Sequence, residues 1–295
     1  MGRPLAAFFS GEPVLKQRVI TALVLLALLL PALFAADSRP FMALTVVLIG
    51  AGAWEWGRLN GVASVQAWLG AVVCVAVCGL AVWGGWVQAT PPQLWLVAGA
   101  MWVLLGAWMI QRGVSGWALW PRQWRWAAGL FLLFLAWLAL SQAHQRGVNF
   151  LLSVLVLVWA ADVFAYFFGR ALGGRIFAVK LAPAISPGKS WEGVFGGMLG
   201  VFLVSWLWLV FDRSQSPAGA SFYALLWARG AAVAVPALVF MSAMSVVGDL
   251  VESLVKRSAG MKDSSGLLPG HGGVLDRLDA LLPTLPLAMM LVASI

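Results

Sequence analysis

The sequence predicts an all-α, polytopic integral membrane protein of about nine transmembrane helices, with its N-terminus in the cytoplasm. Three observations predict it. Hydrophobic residues make up 62% of the chain and charged residues 10%, against about 25% charged in a soluble domain. The apolar residues fall in uncharged runs, and ~20 such residues of helix cross a ~30 Å hydrocarbon core. The 19 Lys and Arg sort onto alternate loops once nine spans are drawn, as the positive-inside rule requires.

Met1 to Arg18 carries Arg3, Lys16 and Arg18, and Val19 to Ala36 then runs without a charge. A secretory signal has an apolar core of only ~7–15 residues and an A-x-A-like cleavage site, so a retained first helix is expected. The second span is Phe41 to Trp56. The uncharged run from Leu59 to Gln111 is too long for one span, and Gln88 to Gln93, with Pro91 and Pro92, breaks it. That gives spans near Val62–Val87 and Leu94–Ile110. Cys74 and Cys78 lie four apart in an apolar run, as two small residues on one helix face, not a disulfide framework or zinc site. A basic, Trp-rich loop follows, with Arg112, Arg122 and Arg125 among Trp117, Trp120, Trp124 and Trp126. Trp favours the headgroup layer, so a membrane belt explains this mixture better than nucleic acid. The fifth span is Ala127 to Ala143, and His144 reads as a loop residue. The sixth runs from Val148 to Phe168, the seventh from Val194 to Phe211, the eighth from Gly230 to Gly248 and the last from Ala280 to Ile295. Gly196 and Gly200, four apart, permit close helix packing in the seventh.

On this map the inner segments hold Arg3, Lys16, Arg18, Arg58, Arg112, Arg122, Arg125, Arg170, Arg175, Lys180, Lys189, Lys256, Arg257, Lys262 and Arg277. The outer ones hold only Arg39, Arg146, Arg213 and Arg229. The C-terminus is then outside, and two polar loops, 169–193 and 249–279, share the cytoplasmic side. The net charge of +8 is scattered between apolar runs, which points to lipid topology and anionic substrates and away from nucleic acid.

Asp249 to Asp279 gathers Asp249, Glu252, Lys256, Arg257, Lys262, Asp263, Asp276, Arg277 and Asp279 in an otherwise oily chain. Charge near the membrane is costly and so is kept for function. Asp249, Glu252, Ser253 and Lys256 form one polar stripe on a helix that Gly260 ends. A second helix starts near Val274, placing Asp276 and Asp279 in its first turns. Only 16 residues follow Asp279, about 24 Å of helix at ~1.5 Å per residue, so Asp276 and Asp279 are expected near the cytoplasmic interface, at the depth of Asp249. Hard carboxylate oxygens from two helices suit Mg²⁺, which commonly binds one or two carboxylates plus substrate phosphates. Lys256, Arg257, Lys262 and Arg277 suit phosphate oxygens, and Gly270, Gly272 and Gly273 around His271 let backbone approach a ligand closely. Asp162, isolated in the sixth span, is a functional candidate or a packing hydrogen bond. In SPGKSWEG, Ser186 to Gly193, Ser190 is placed to cap a helix while Lys189 and backbone N–H groups face a phosphate; the spacing is not that of a Walker A loop. Metal, basic clamp and glycine-rich turn together read as phosphoryl or nucleotidyl transfer.

The stretch SLVKRSAGMKDSSGLLPGHGGVLDRLD, Ser253 to Asp279, resembles the signature of phosphatidate cytidylyltransferases, or CDP-diacylglycerol synthases, at every fixed position. GDLVES, SPGKSWEG and the Asp162 segment look like further blocks of that family, so the resemblance covers Asp162 to the C-terminus. It implies that CTP and phosphatidate give CDP-diacylglycerol and pyrophosphate with Mg²⁺. It implies Asp249 and Asp276 as metal-binding aspartates and Lys256, Arg257, Lys262 and Arg277 as phosphate-handling groups. Asp263, His271 and Asp279 belong to the signature without an assigned role. The family more often has Lys at 188 and Thr at 190, where this chain has Gly188 and Ser190, so the hydroxyl survives and one charge is lost. Residues 1–150 are then scaffold helices and 151–295 carry the catalytic loops. The expected partners are CTP, phosphatidate and membrane lipids, with a homodimer left open, and a bacterial plasma membrane fits the compact chain. The rival reading is a secondary transporter that relays protons or Na⁺ through Asp162 and Asp249, with Pro283 and Pro286 breaking the last helix.

Overall fold

The computed structural model describes residues 12–215 and 219–293. The expected cytoplasmic segment around Arg3 and the last residues of the ninth span, Ser294 and Ile295, lie outside them. The elements are α1 (Glu12–Leu33), α2 (Arg39–Leu59), α3 (Ser64–Trp83), α4 (Pro92–Ala118), α5 (Arg122–Gln145), α6 (Val148–Leu172), α7 (Trp191–Gln215), α8 (Phe222–Trp227), α9 (Ala231–Ser258), α10 (Leu275–Leu278) and α11 (Leu281–Ala293). Eight of them are long and apolar enough to cross a membrane. The ninth span expected at the C-terminus corresponds to α11, which at 13 residues is shorter, carries Pro286 inside and is buried along most of its length against α4, α5 and α9. Among the described residues there is no strand, only two isolated bridges, Ala182 with Ser186 and Leu268 with Gly272.

Leu23, Val72, Trp159, Leu199 and Trp206, on α1, α3, α6 and α7, are all more than half exposed, as faces turned to hydrocarbon are. The tightest pair is α6 with α7. A Cβ on Gly197 would lie 2.8 Å from the Ala161 carbonyl oxygen, and Phe168 and Phe164 fill the spaces over Gly196 and Gly200. The small-residue face thus brings the two backbones together, as expected.

Two expectations are corrected. The Trp-rich segment is helix on both sides of a short turn, 119–121, not a long loop. Gly113, at φ +69°, lets α4 bend and continue to Ala118, because only glycine takes that conformation without strain. Trp117 is consequently buried, with its ring 6.0 Å from that of Trp56, whose Nε1 donates to the Arg125 carbonyl; Trp124 stays exposed. His144 is not in a loop. It lies buried in the last turn of α5, stacked on Phe41 at 4.3 Å, with Nε2 2.9 Å from the Leu33 carbonyl. It ties the ends of α1, α2 and α5 together. The polar stripe lies on a helix as expected: α9 runs past Gly248 to Ser258, with Gly260 at φ +69° just beyond it.

The helix ends sort into two poles. At one, Leu33, His144, Asn149 and Asp212 lie near one another, with the end of α11 beside Gln88 and Arg146. At the other, the Pro269–Gly270 turn meets Thr21 and Arg18 of α1, and α2, α6, α7 and α9 bring their polar ends together.

Candidate active site

The second pole holds an open cleft of about 490 Å³ lined by Asp162, Tyr166 and Arg170 of α6, Gly188, Lys189 and Ser190 of the loop before α7, and Val246 and Asp249 of α9. Asp249 lies two and a half turns before the end of α9, roughly 14 Å at ~1.5 Å per residue, so the cleft is recessed. Lys189 Nζ pairs with Asp249 Oδ2 at 2.5 Å, and Ser253 Oγ donates to Asp249 Oδ1 at 3.2 Å. Asp162 is within electrostatic reach of both Asp249 and Lys189.

The loop that presents Lys189 is rigid for local reasons. Ser190 caps α7 by accepting the Gly193 N–H at 3.2 Å. Glu192, buried in the first turn of α7, accepts the N–H groups of Gly174, Ile176 and Phe177 through Oε1. Lys180 Nζ donates to the Pro187 carbonyl at 2.6 Å, and the Lys189 and Ser186 N–H groups close turns onto the Ser186 and Ala182 carbonyls.

Beside the cleft lies a second cluster. Lys256 Nζ is 2.5 Å from Glu252 Oε2 and 2.6 Å from Asp276 Oδ1. Asp276 Oδ2 accepts from Ser264 N and Oγ, each at 2.8 Å, and from Gly273 N at 2.7 Å. Burial opposes ionisation of Asp276, but the Lys256 ammonium and the Gly273 and Ser264 N–H groups outweigh it and lower its pKa to about 2. Gly272, at φ +82°, has Asp276 Oδ2 2.7 Å from the place of a Cβ, so a side chain there would strike the carboxylate.

The same loop is gripped from α2 by a residue that the sequence reading passed over. Glu55, fully buried, accepts the N–H groups of Val274 and Leu275 at 2.9 and 2.8 Å and the hydroxyls of Ser264 and Ser265. Its only sequence signal is a lone acid in the apolar run AWEWG. Glu192 is a second such anchor, hidden between the lysine and the glycines of SPGKSWEG.

Arg277 is folded back, donating through Nε and NH2 to the His271 carbonyl at 3.1 and 2.7 Å. Gly270 packs on Arg18. Arg257 donates to the Met261 carbonyl at 3.2 Å. Lys262 and Asp263 line a separate open groove with Arg58, Ser265 and Gly266. Asp249 and Asp276 therefore have different basic partners, and the neighbour of Asp249 in the recess is Asp279. Gly248 permits this, since a Cβ there would lie 2.4 Å from the Asp279 carbonyl oxygen. Burial, then the Asp249 carboxylate, push the Asp279 carboxyl up to about 7.

Among the described residues no three acidic, His or Cys side chains converge into a ready metal site. The donor chemistry nevertheless fits a hard divalent ion that takes much of its shell from water and phosphate. Asp249 carries an exchangeable ammonium, and Asp279 Oδ1 accepts the Ala280 N–H, at 2.7 Å. Asp276, with four donors on its two oxygens, would join such a site only by releasing Lys256.

Fold and site together define a class: an integral membrane protein with a recessed cleft in which acids and bases face each other beside a locked glycine-rich loop, suited to phosphate-bearing substrates. Residues 16–295 match the model of the Cytidylyltransferase family, and the chain belongs to that family. It is 39% identical over 278 residues to a phosphatidate cytidylyltransferase of Pseudomonas aeruginosa, covering 92% of this chain and 94% of that protein. It is 36% identical over 291 residues to the phosphatidate cytidylyltransferase of Haemophilus influenzae, covering 92% of this chain and 96% of that protein.

Proposed function

We propose that this chain transfers a cytidylyl group from CTP to phosphatidate, giving CDP-diacylglycerol and pyrophosphate, at the cytoplasmic face of a bacterial plasma membrane. The observation that carries this reading is the recessed cleft in which Asp162 and Asp249 face Lys189 while the α6 wall continues into lipid-facing surface. A lipid phosphate and a soluble triphosphate can meet there without the acyl chains leaving the bilayer.

In this reading a phosphatidate phosphate oxygen forms the new bond to the α-phosphorus of CTP as the bond to pyrophosphate breaks. The attacking phosphate is already ionised, its second pKa being about 6, so no protein base is required. Lys189 holds phosphate charge in the cleft, and the Ser190-capped start of α7 adds favourable N–H dipoles. Asp249 and Asp279 would hold Mg²⁺, with Asp276 the further carboxylate within the signature. When bound, that ion would neutralise triphosphate charge. Lys256 steadies the Asp276 loop, and Arg277 and Arg257 lie on the surface beside it.

The test is purified protein with labelled CTP and phosphatidate vesicles, with and without Mg²⁺. Lipid-extractable label with an equal yield of pyrophosphate is expected in Mg²⁺, with loss in excess chelator and recovery on repletion. No incorporation under any divalent cation would overturn the reading.

A further inference from the structure

Arg170 stands apart from Lys189, the other cation that lines the cleft. Lys189 is matched by Asp249, Lys256 by two carboxylates, and Lys180 by a carbonyl. Arg170 lines the same cleft, yet among the described residues no carboxylate lies within ion-pair distance of it. Among the described residues its one polar contact is NH1 donating to the Tyr166 hydroxyl at 3.0 Å, one turn earlier on α6. Two residues of that turn, Tyr166 and Phe167, are 59% and 61% exposed, with rings in edge contact at 5.5 Å. An aromatic pair so exposed on a membrane-spanning helix faces lipid and its interface. The guanidinium is therefore uncompensated where the cleft wall turns from charged interior to lipid.

We infer that Arg170 receives the terminal phosphate of the lipid substrate at the lateral mouth of the cleft, with Tyr166 as the residue that positions its guanidinium. This rests on the proposed reaction. A guanidinium presents a planar fork of donors that matches two phosphate oxygens at once. A phosphate monoester offers three terminal oxygens and close to two charges; a phosphodiester headgroup offers two oxygens and one charge. Arg170 thus selects phosphatidate from the surrounding diester lipids, while Lys189, deeper and beside the carboxylates, is left to the nucleotide. The competing role for an arginine at a helix end is a general anchor to headgroups, and the two differ in what they discriminate.

The experiment uses the full chain in vesicles, with Arg170→Ala, Arg170→Lys and Tyr166→Phe beside the wild type. Initial rates are measured against phosphatidate mole fraction and against CTP, in phosphatidylcholine and in phosphatidylglycerol carrier. Binding of phosphatidate and phosphatidylglycerol is counted separately by native mass spectrometry in neutral detergent. Arg170→Ala is expected to raise the phosphatidate KM at least tenfold, move the CTP KM less than twofold, and lower the phosphatidate adduct without changing the phosphatidylglycerol adduct. Arg170→Lys is expected to fall between, since charge remains and the fork is lost, and Tyr166→Phe to raise the phosphatidate KM a few fold with kcat retained. A shift in the CTP KM instead, an unchanged phosphatidate KM, or equal loss of both lipid adducts would overturn the assignment. A wild-type protein that binds phosphatidate through Arg170 but makes no CDP-lipid sinks the reaction alone; an active enzyme indifferent to Arg170→Ala sinks Arg170 alone.

Discussion

Asp276 and Asp249 carry the same functional group in opposite circumstances. Asp276 is saturated by four donors, so Asp276→Asn leaves the Lys256 ammonium with Glu252 as its one carboxylate partner and swaps an acceptor for a donor facing donors. Both Asp249→Asn and Asp276→Asn are expected to abolish turnover. Only Asp276→Asn should also lower the unfolding temperature of the detergent-solubilised protein by several degrees, because it breaks a buried charge pair. Near-normal turnover in either variant removes that residue from the active machinery. Glu55→Gln is the matching test of the α2 anchor. Hydrogen bonds to a charged acceptor contribute about 1.5–3 kcal/mol each, so a clear drop in thermal stability and in activity is expected, while a silent variant would deny Glu55 its anchoring role. At this scale the sequence shows the reactive residues but not their partners. The Asp249–Asp279 stretch stands out because charge is rare elsewhere. Glu55 does not, because its four contacts come from residues more than 200 positions away and leave no local spacing to read.

At the scale of elements, hydropathy finds each of the eight long apolar helices but misplaces its ends. Apolar runs mark where lipid begins, whereas helices continue until a backbone break. Thus α4 outruns Ile110 through Gly113, α9 outruns Gly248, and α6 and α7 gain turns at the cleft. The short α8 is invisible to a span search because six residues cannot cross a bilayer. Packing is more legible, since the glycines of α7 announce a close neighbour without naming it. Gly197→Leu is expected to destabilise the protein by about 1–3 kcal/mol through overpacking against the α6 backbone. Gly79→Leu, on α3 with open space around it, is expected to leave the unfolding temperature within a degree. Equal effects at the two glycines would mean that the α6–α7 contact does not hold the cleft wall in place.

At the scale of the molecule, the orientation of the two poles decides whether the cleft can meet cytosolic nucleotide. Helices from both halves of the chain interleave, with α4 against α9 and α11, and α5 against α6 and α11; Glu55 carries this across to the signature loop. The cleft pole holds Arg58, Arg170, Lys180, Lys189, Lys256, Arg257, Lys262 and Arg277, while Arg146 and Arg213 lie toward the other. Cations concentrate on the cytoplasmic side of short loops, so the cleft pole should face inward. A Lys262→Cys variant should react with an impermeant maleimide only in inside-out vesicles, and Arg213→Cys only in right-side-out vesicles. Both native cysteines, Cys74 and Cys78, are buried and should stay silent in either preparation. Labelling of Lys262→Cys from the outside would put the cleft on the wrong side for cytosolic CTP, and the proposed reaction would lose its nucleotide supply.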